Sequence, residues 1–167
     1  MGEYKHIVHG FEPVYDGRSR LLILGSLPSV KSREQGFYYG HPRNRFWAVI
    51  SKITGSPLPE TTEQKKQMLL QNSIAIWDVI AECDIIGSAD ASIKNAVPAD
   101  IMRVLNACDI AAIYANGSTA ARLYQKHMQS ITGREIMTLP STSPANAAWS
   151  LDRLTERWGE ELLPLLG

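Results

Sequence analysis

Four short apolar runs, each followed by small polar residues, constrain the fold of this chain more than any other feature of its sequence. The runs are Leu21–Leu24, Ile74–Trp77, Ile110–Ala115 and Ile136–Leu139. Segments with helical periodicity lie between and after them. Near-continuous apolar strands that alternate with helices are typical of a parallel sheet covered on both faces. The sequence therefore predicts an α/β fold, a three-layer α/β/α sandwich with a central, mainly parallel four-stranded sheet.

Helical periodicity is clearest in four segments. Their apolar faces comprise Phe46, Val49, Ile50 and Ile53; Ile101, Val104, Leu105 and Cys108; Ala120, Leu123, Tyr124, His127 and Met128; and Leu151, Leu154, Trp158, Leu162 and Leu165. Pro98 suits the first turn of the second helix, and residues 55–59 are expected to connect two helices. The chain has 167 residues and neither an internal repeat nor a linker, so we expect a single domain, residues 1–167.

The composition excludes several classes of protein. Basic and acidic residues both number 17, and a net charge of zero argues against a protein that coats nucleic acid. No apolar run is long enough to cross a membrane, and the N-terminus lacks the apolar core of a signal peptide. Cys83 and Cys108 are too few for a disulfide framework or a four-cysteine iron–sulfur site. We expect a cytoplasmic monomer with no membrane partner, no metal and no cofactor.

The distribution of charge carries more information than its sum. Between Arg18 and Lys52 there are seven basic residues and one acidic residue. A basic patch can steer a polyanion towards a site. A solvated loop with a chance cluster of charge explains the same pattern.

Small polar residues follow all four predicted strands. Gly25–Ser29 follow the first, Asp78 the second, Asn116–Gly117–Ser118 the third and Ser141–Asn146 the fourth. Ligands of open α/β sheets bind outside the carboxyl ends of the strands. Backbone amides and hydroxyls of such loops can approach a phosphate closely, although α/β turns need small residues in any case.

The first loop carries more than a turn requires. Gly25 allows the backbone to approach a ligand, and Pro28 stiffens the turn. Downstream, Tyr39 offers a face on which a base can stack, unless it caps the edge of the core. His41 can relay a proton or shape the turn. Asn44 can cap a helix, position a water or contact the edge of a base.

The fourth loop combines hydroxyls with a compact tip. Ser141 and Ser143 can bind phosphate, and Pro144–Ala145–Asn146 can press into a nucleic-acid groove. The alternative is a cap for the helix that follows.

Two segments resemble motifs of a known family. Gly25-Ser26-Leu27-Pro28-Ser29 with Tyr38-Tyr39-Gly40-His41-Pro42-Arg43-Asn44-Arg45-Phe46-Trp47 resembles the first motif of the uracil-DNA glycosylase superfamily, and Leu139–Asn146 resembles the loop of that family that enters the DNA minor groove. The similarity is greatest to the mismatch-specific and thymine-DNA glycosylases and to the hypoxanthine-DNA glycosylases. It implies an enzyme of base excision repair that removes a damaged base from DNA, with a four-stranded parallel sheet, no metal and no lyase lysine.

The resemblance also implies roles for individual residues. A base pocket would comprise Gly25, Ser26, Leu27, Pro28, Ser29, Tyr39 and His41. DNA would be bound by Asn116, Gly117, Ser118, Ser141, Ser143, Pro144, Ala145 and Asn146.

One position departs from most branches of this family. The mismatch-specific branch has an asparagine where this chain has Leu27, and leucine cannot orient a water. The hypoxanthine branch also lacks that polar residue, and its catalysis is associated with the asparagine that corresponds to Asn44. The resemblance therefore implies a monofunctional glycosylase that releases hypoxanthine (deoxyinosine), with Asn44 as catalytic residue and Asp78 in reserve as a base or water-orienting group. Three alternatives stay open: a uracil-DNA glycosylase acting on G/U mismatches, a non-catalytic nucleic-acid-binding module, and a hydrolase of small nucleosides.

Overall fold

The main sheet is parallel and has four strands, as the sequence predicts. The computed structural model describes residues 2–87 and 89–166 of the chain. The strands of this sheet are β2 (Leu21–Gly25), β3 (Ile74–Asp78), β6 (Ala112–Asn116) and β7 (Met137–Leu139). They lie in the order β3-β2-β6-β7 with parallel pairing throughout. All residues of β2 and β3 are buried, so the sheet is covered on both faces, which accounts for the apolar runs.

Helices of different length connect and cover these strands. They are α1 (Val30–Gln35), α2 (Phe46–Thr54), α3 (Thr62–Gln71), α4 (Met102–Leu105), α5 (Ser118–His127), α6 (Gln129–Thr132) and α7 (Leu151–Leu166). Residues 55–59 connect α2 to α3, as predicted. In the core, α2 packs against α7, where the rings of Phe46 and Trp158 meet edge to face at 5.9 Å. Trp158 Nε1 also donates to the carbonyl oxygen of Pro140 at 2.9 Å, which ties α7 to the loop that follows β7.

A second, antiparallel sheet was not predicted. Its strands are β1 (Lys5–Val8), β4 (Ile80–Ile85) and β5 (Lys94–Pro98), in the order β1-β4-β5. Its exposed side carries polar cross-strand contacts such as His6 Nδ1 to Asp84 Oδ1 at 2.9 Å. Strands this short, with charged residues and partly exposed, lack the apolar signal that marks the main sheet.

The expected helix around Ile101 is much shorter than its pattern suggests. Only Met102–Leu105 are helical, and Pro98 lies in β5 opposite Ile80 rather than in a first helical turn. The residues that follow, Asn106 to Asp109, include weak helix formers, so the apolar face continues without a helix.

Candidate active site

The four strand ends meet around a cavity of about 180 Å³. Most lining residues follow the strands of the main sheet at its carboxyl edge, and two come from the end of β4 and the segment after it. They are Gly25–Ser29, Ser32, Tyr38, Tyr39, Asn44, Asp78, Asn116 and Ser141–Ser143, with Ile85 and Asp90 from the second sheet and the segment after β4. Parallel strands bring their carboxyl ends to one edge, and β2 pairs with β3 so that Gly25 lies directly opposite Asp78. The first and fourth loops, far apart in sequence, therefore form one site.

Hydrogen bonds fix the orientation of the Asn44 amide. Its Oδ1 accepts from the backbone N–H of Phe46 at 2.9 Å and from Thr142 Oγ1 at 2.8 Å. Because both partners donate, the oxygen must face them, and Nδ2 is the group left to donate towards the cavity. Asn44 thus accepts from the first N–H of α2 and also presents a donor to the site.

Thr142 holds this arrangement together and was missed in the sequence. The residue is fully buried. Its hydroxyl accepts from Asn116 Nδ2 at 3.0 Å while it donates to Asn44, and its backbone N–H donates to Asn116 Oδ1 at 3.0 Å. Thr142 therefore links the end of β6, the loop after β7 and the turn that precedes α2.

Arg45 is a second residue that the sequence reading did not single out. Its guanidinium donates to the carbonyl oxygens of Ser143 at 2.8 Å, Asn146 at 3.1 Å and Trp149. Its backbone N–H donates to the Thr142 carbonyl oxygen at 3.1 Å. A planar cation with several donors thus clamps the fourth loop and the residues that follow it up to Trp149.

The closed end of the cavity is formed by Gly25, Tyr39 and Asp78. A Cβ atom at Gly25 would lie 2.4 Å from Asp78 Oδ1 and 3.3 Å from the Tyr39 hydroxyl, so only glycine leaves both groups in place. Tyr39 adopts a left-handed backbone conformation (φ 52°), and its ring stacks on Phe46 at 4.1 Å. Since Phe46 covers one face of the ring, only the opposite face is left for the predicted stacking of a base.

The Tyr39 hydroxyl is buried and makes no hydrogen bond with the described residues. Burial, with a further contribution from the Asp78 charge, raises the pKa of Tyr39 above its usual range, while the nearby Asn116 side chain partly opposes this. The phenol therefore stays protonated and can offer its hydrogen to a ligand.

Asp78 pairs with a histidine from the second sheet. Asp78 Oδ2 lies 2.9 Å from His9 Nε2, and each side chain is only 5% exposed. His9 directly follows β1, and its backbone N–H donates to the Ala81 carbonyl oxygen at 2.7 Å. No sequence pattern indicates this contact, because 69 positions separate the two residues.

Other predicted residues occupy different surroundings. His41 lies outside the residues that line the cavity; its Nδ1 accepts from the Arg43 N–H at 3.0 Å, so the ring shapes the turn. Ser118 begins α5, and Gly117 is the N-cap residue of that helix, with φ 97°. Asn146 donates from Nδ2 to the Ser141 carbonyl oxygen at 3.0 Å, which closes the Pro144–Ala145 tip.

Several basic residues between positions 18 and 52 form contacts within the protein. Arg45 binds loop carbonyls, Arg33 donates to the Gly87 carbonyl oxygen at 2.8 Å, and Lys31 pairs with Glu34 at 3.7 Å. Arg20, Arg43 and Lys52 are exposed. Asp90, which the sequence reading did not single out, brings a carboxylate to the cavity 3.3 Å from Ser26 Oγ.

Comparisons with known proteins identify the family of this chain. The family model for the uracil DNA glycosylase superfamily matches residues 12–163. The chain belongs to this superfamily. Among its relatives, a protein of Methanosarcina acetivorans named hypoxanthine DNA glycosylase is 34% identical over 152 residues, covering 90% of this chain and 95% of the relative. A protein of the same name from Methanosarcina barkeri is 40% identical over 87 residues, covering 52% and 55%.

A solved structure shows the same architecture. The solution NMR structure of a candidate uracil DNA glycosylase from Methanosarcina acetivorans superimposes with a TM-score of 0.80 and 32% identity, covering 95% of this chain and 98% of that one. The chain is therefore a DNA glycosylase, and its substrate is DNA. Among the described residues, no helix is long and apolar enough to span a membrane.

Proposed function

We propose that this glycosylase releases hypoxanthine from deoxyinosine in DNA, as a step of base excision repair. The observation that carries this proposal is the Asn44 amide, held by Phe46 and Thr142 with Nδ2 free to donate at the cavity. Leu27 also lines the cavity but has no polar group with which to orient a water. The relatives named hypoxanthine DNA glycosylase support the same choice of base.

The chemistry starts with extrusion of the nucleotide from the duplex. Extrusion costs a few kcal/mol and is least costly for a damaged or mismatched pair. The clamped tip at Pro144–Asn146 supports the opened duplex, while Ser141 and Ser143 hold flanking phosphates. The base then enters the cavity at the strand ends.

Bond cleavage relies on fixed dipoles more than on a nucleophilic side chain. As the N-glycosidic bond breaks, negative charge spreads over the leaving hypoxanthine and its carbonyl oxygen. The Asn44 Nδ2 group stabilises that charge or orients the attacking water, and such a donor is typically worth about 3–4 kcal/mol. Water is the nucleophile in this proposal, and release proceeds by hydrolysis without a Schiff base, as the family resemblance implies.

A continuous hydrophobic core supports a single domain over residues 1–167. One cluster of buried residues extends from Val14 to Leu162 and includes residues of every strand in the main sheet. We propose that this domain acts as a monomer.

The test is base release from matched duplexes that carry a single deoxyinosine or deoxyuridine, with unmodified DNA as control. Alkali after incubation converts abasic sites to strand breaks, and single-turnover rates are compared. We expect faster release from deoxyinosine, and Asn44→Ala should reduce that rate about 10²- to 10³-fold while DNA binding, measured by fluorescence anisotropy, is retained. Asn106→Ala, an exposed asparagine outside the cavity, is the matched control.

Each other result assigns a different function. Release mainly from deoxyuridine would identify a uracil-DNA glycosylase. Binding without release from either duplex would indicate a nucleic-acid-binding module, and equal release from free inosine would indicate a nucleoside hydrolase. An Asn44→Ala variant with unchanged release would remove Asn44 from the catalytic role and bring Asp78 forward.

A further inference from the structure

The buried His9–Asp78 pair at the closed end of the cavity has no place in the chemistry described above. Asp78 is the last residue of β3 and lines the cavity, whereas His9 reaches it from the second sheet. Both side chains are 5% exposed, and Nε2 of His9 lies 2.9 Å from Asp78 Oδ2. A buried carboxylate is retained only where its hydrogen bonds are satisfied or where it serves a ligand.

The hydrogen-bond network assigns the imidazole proton. Nδ1 of His9 is buried and has no partner among the described residues. A proton on Nδ1 would leave a buried donor without an acceptor, whereas a proton on Nε2 satisfies Asp78 Oδ2 directly. His9 therefore donates to Oδ2 and fixes the plane of the carboxylate.

The second carboxylate oxygen faces the cavity. Oδ1 lies beside Gly25, at 2.4 Å from where a Cβ atom would be, and no residue among those described donates to it. A carboxylate oxygen is an acceptor only. The closed end of the pocket thus presents one oriented acceptor, next to the Tyr39 hydroxyl.

Hypoxanthine and uracil differ from adenine and cytosine, the bases from which they form by deamination, in the group that would meet this oxygen. Hypoxanthine and uracil carry a ring N–H beside a carbonyl oxygen, whereas adenine and cytosine carry a bare ring nitrogen beside an amino group. A carboxylate oxygen accepts a hydrogen bond from the ring N–H, but it repels the lone pair of the bare ring nitrogen. Sites that require one hydrogen bond from a ligand reject analogues lacking it by large factors.

We propose that His9 is a positioning residue that makes Asp78 Oδ1 an acceptor for the ring N–H of a flipped lactam base. The pair is thus a filter that excludes adenine and cytosine. This deepens the proposed function and rests on it, and it assigns Asp78 to recognition of the base rather than to activation of water.

The test compares two bases in otherwise identical duplexes. One is hypoxanthine, and the other is unsubstituted purine, in which N1 is a bare acceptor. Asp78→Asn keeps the size of the side chain. Because His9 would donate to the amide oxygen, Nδ2 would take the place of Oδ1 at the cavity, so that a donor replaces the acceptor. We expect the hypoxanthine-to-purine ratio of single-turnover rates to fall at least tenfold, with slower release of hypoxanthine and faster release of purine.

Two further variants separate positioning from folding. His9→Gln retains an N–H donor and should keep the ratio within about threefold of wild type, whereas His9→Leu should lower it. Melting temperatures of all variants are measured in parallel, and Asn106→Ala is the control. If Asp78→Asn fails to fold, the His9→Leu and His9→Gln pair decides the proposal by the same ratio.

Failure of this proposal is distinct from failure of the proposed function. If wild type releases hypoxanthine but neither Asp78→Asn nor His9→Leu changes the ratio, the filter is refuted and the hypoxanthine assignment stands. An Asp78→Asn variant that slows release of both bases equally assigns Asp78 to water activation and also refutes the filter. If wild type releases uracil instead of hypoxanthine, uracil and N3-methyluracil replace the two purines, and an unchanged ratio again overturns the filter.

Discussion

Replacement of Thr142 by valine isolates the hydroxyl that connects Asn116 to Asn44. Valine keeps the branched shape of a fully buried side chain but removes both hydrogen bonds of Oγ1, at 3.0 Å and 2.8 Å. A hydrogen bond contributes about 1 kcal/mol net, so we expect the free energy of unfolding to fall by about 2 kcal/mol. For a chain of this length that corresponds to a decrease in melting temperature of about 4–8 °C.

We expect Thr142→Val to lower the rate of base release in addition to its effect on stability. Without Thr142 Oγ1, the Asn44 amide is held only by the Phe46 N–H, so Nδ2 is less well oriented in the transition state. A loss of about 1.4 kcal/mol of transition-state stabilisation is a tenfold decrease in rate. We therefore expect a decrease of roughly tenfold, well below the about 10²- to 10³-fold expected for complete loss of the Asn44 donor.

The assay measures single-turnover release from a deoxyinosine duplex at a temperature at which the melting curves show every variant to be folded. Thr142→Ser restores the hydroxyl and should recover most of the rate. A Thr142→Val variant with the lowered melting temperature but wild-type release would show that the Asn116–Thr142–Asn44 network is structural only. The reasoning that places Asn44 Nδ2 in the reaction would then be refuted.

Two other substitutions test the clamp and the closed end of the cavity. Arg45→Lys keeps the charge but loses the planar set of donors to Ser143, Asn146 and Trp149. Because each hydrogen bond to a charged group contributes about 1.5–3 kcal/mol, we expect a lower melting temperature and faster proteolysis within residues 143–149. The exposed neighbour substitution Arg43→Lys should change neither, and equal proteolysis of the two variants would argue against a clamp. Gly25→Ala places a Cβ atom 2.4 Å from Asp78 Oδ1, so we expect a cost of about 1–3 kcal/mol in thermal unfolding and loss of most base release. Gly17→Ala is the control, because the new methyl group has open space around it. If the two variants had the same melting temperature and the same rate of base release, the residues around Gly25 would have to move aside at little cost.

The main sheet was predictable because its signal is local. β2 and β3 are buried at every position, so their apolar runs mark them without any knowledge of their neighbours. The convergence of Gly25, Asp78, Asn116 and Ser141 then follows from parallel pairing alone. The Asn44 position followed from the family resemblance, but the orientation of its amide did not, because that depends on Thr142, 98 positions away.

Some of what was missed left a trace in the sequence. Ser141, Thr142 and Ser143 are consecutive, and in an extended segment the middle side chain points opposite to its neighbours. When the outer two are partly exposed at a site, the middle one is therefore a candidate for burial, as Thr142 is. Arg45 occupies the N-cap position of α2, where the helix dipole disfavours a cation. A basic residue there needs acceptors from elsewhere, and the fourth loop supplies them.

No feature of the sequence marks His9 as part of the site, although the structure connects it to the cavity. The family model matches from residue 12, so His9 lies outside the region that carries the shared motifs, yet it contacts the cavity through Asp78. The second sheet places His9 beside Asp78. β4 follows β3 after a single residue, and β1 pairs with β4, so the residue that follows β1 lies near the end of β3. A change in the segment before residue 12 can therefore alter the orientation of Asp78 while the motifs at Gly25–Ser29 and Asn44 stay intact. On this argument, glycosylases with the same motif residues can differ in base preference through the N-terminal strand alone.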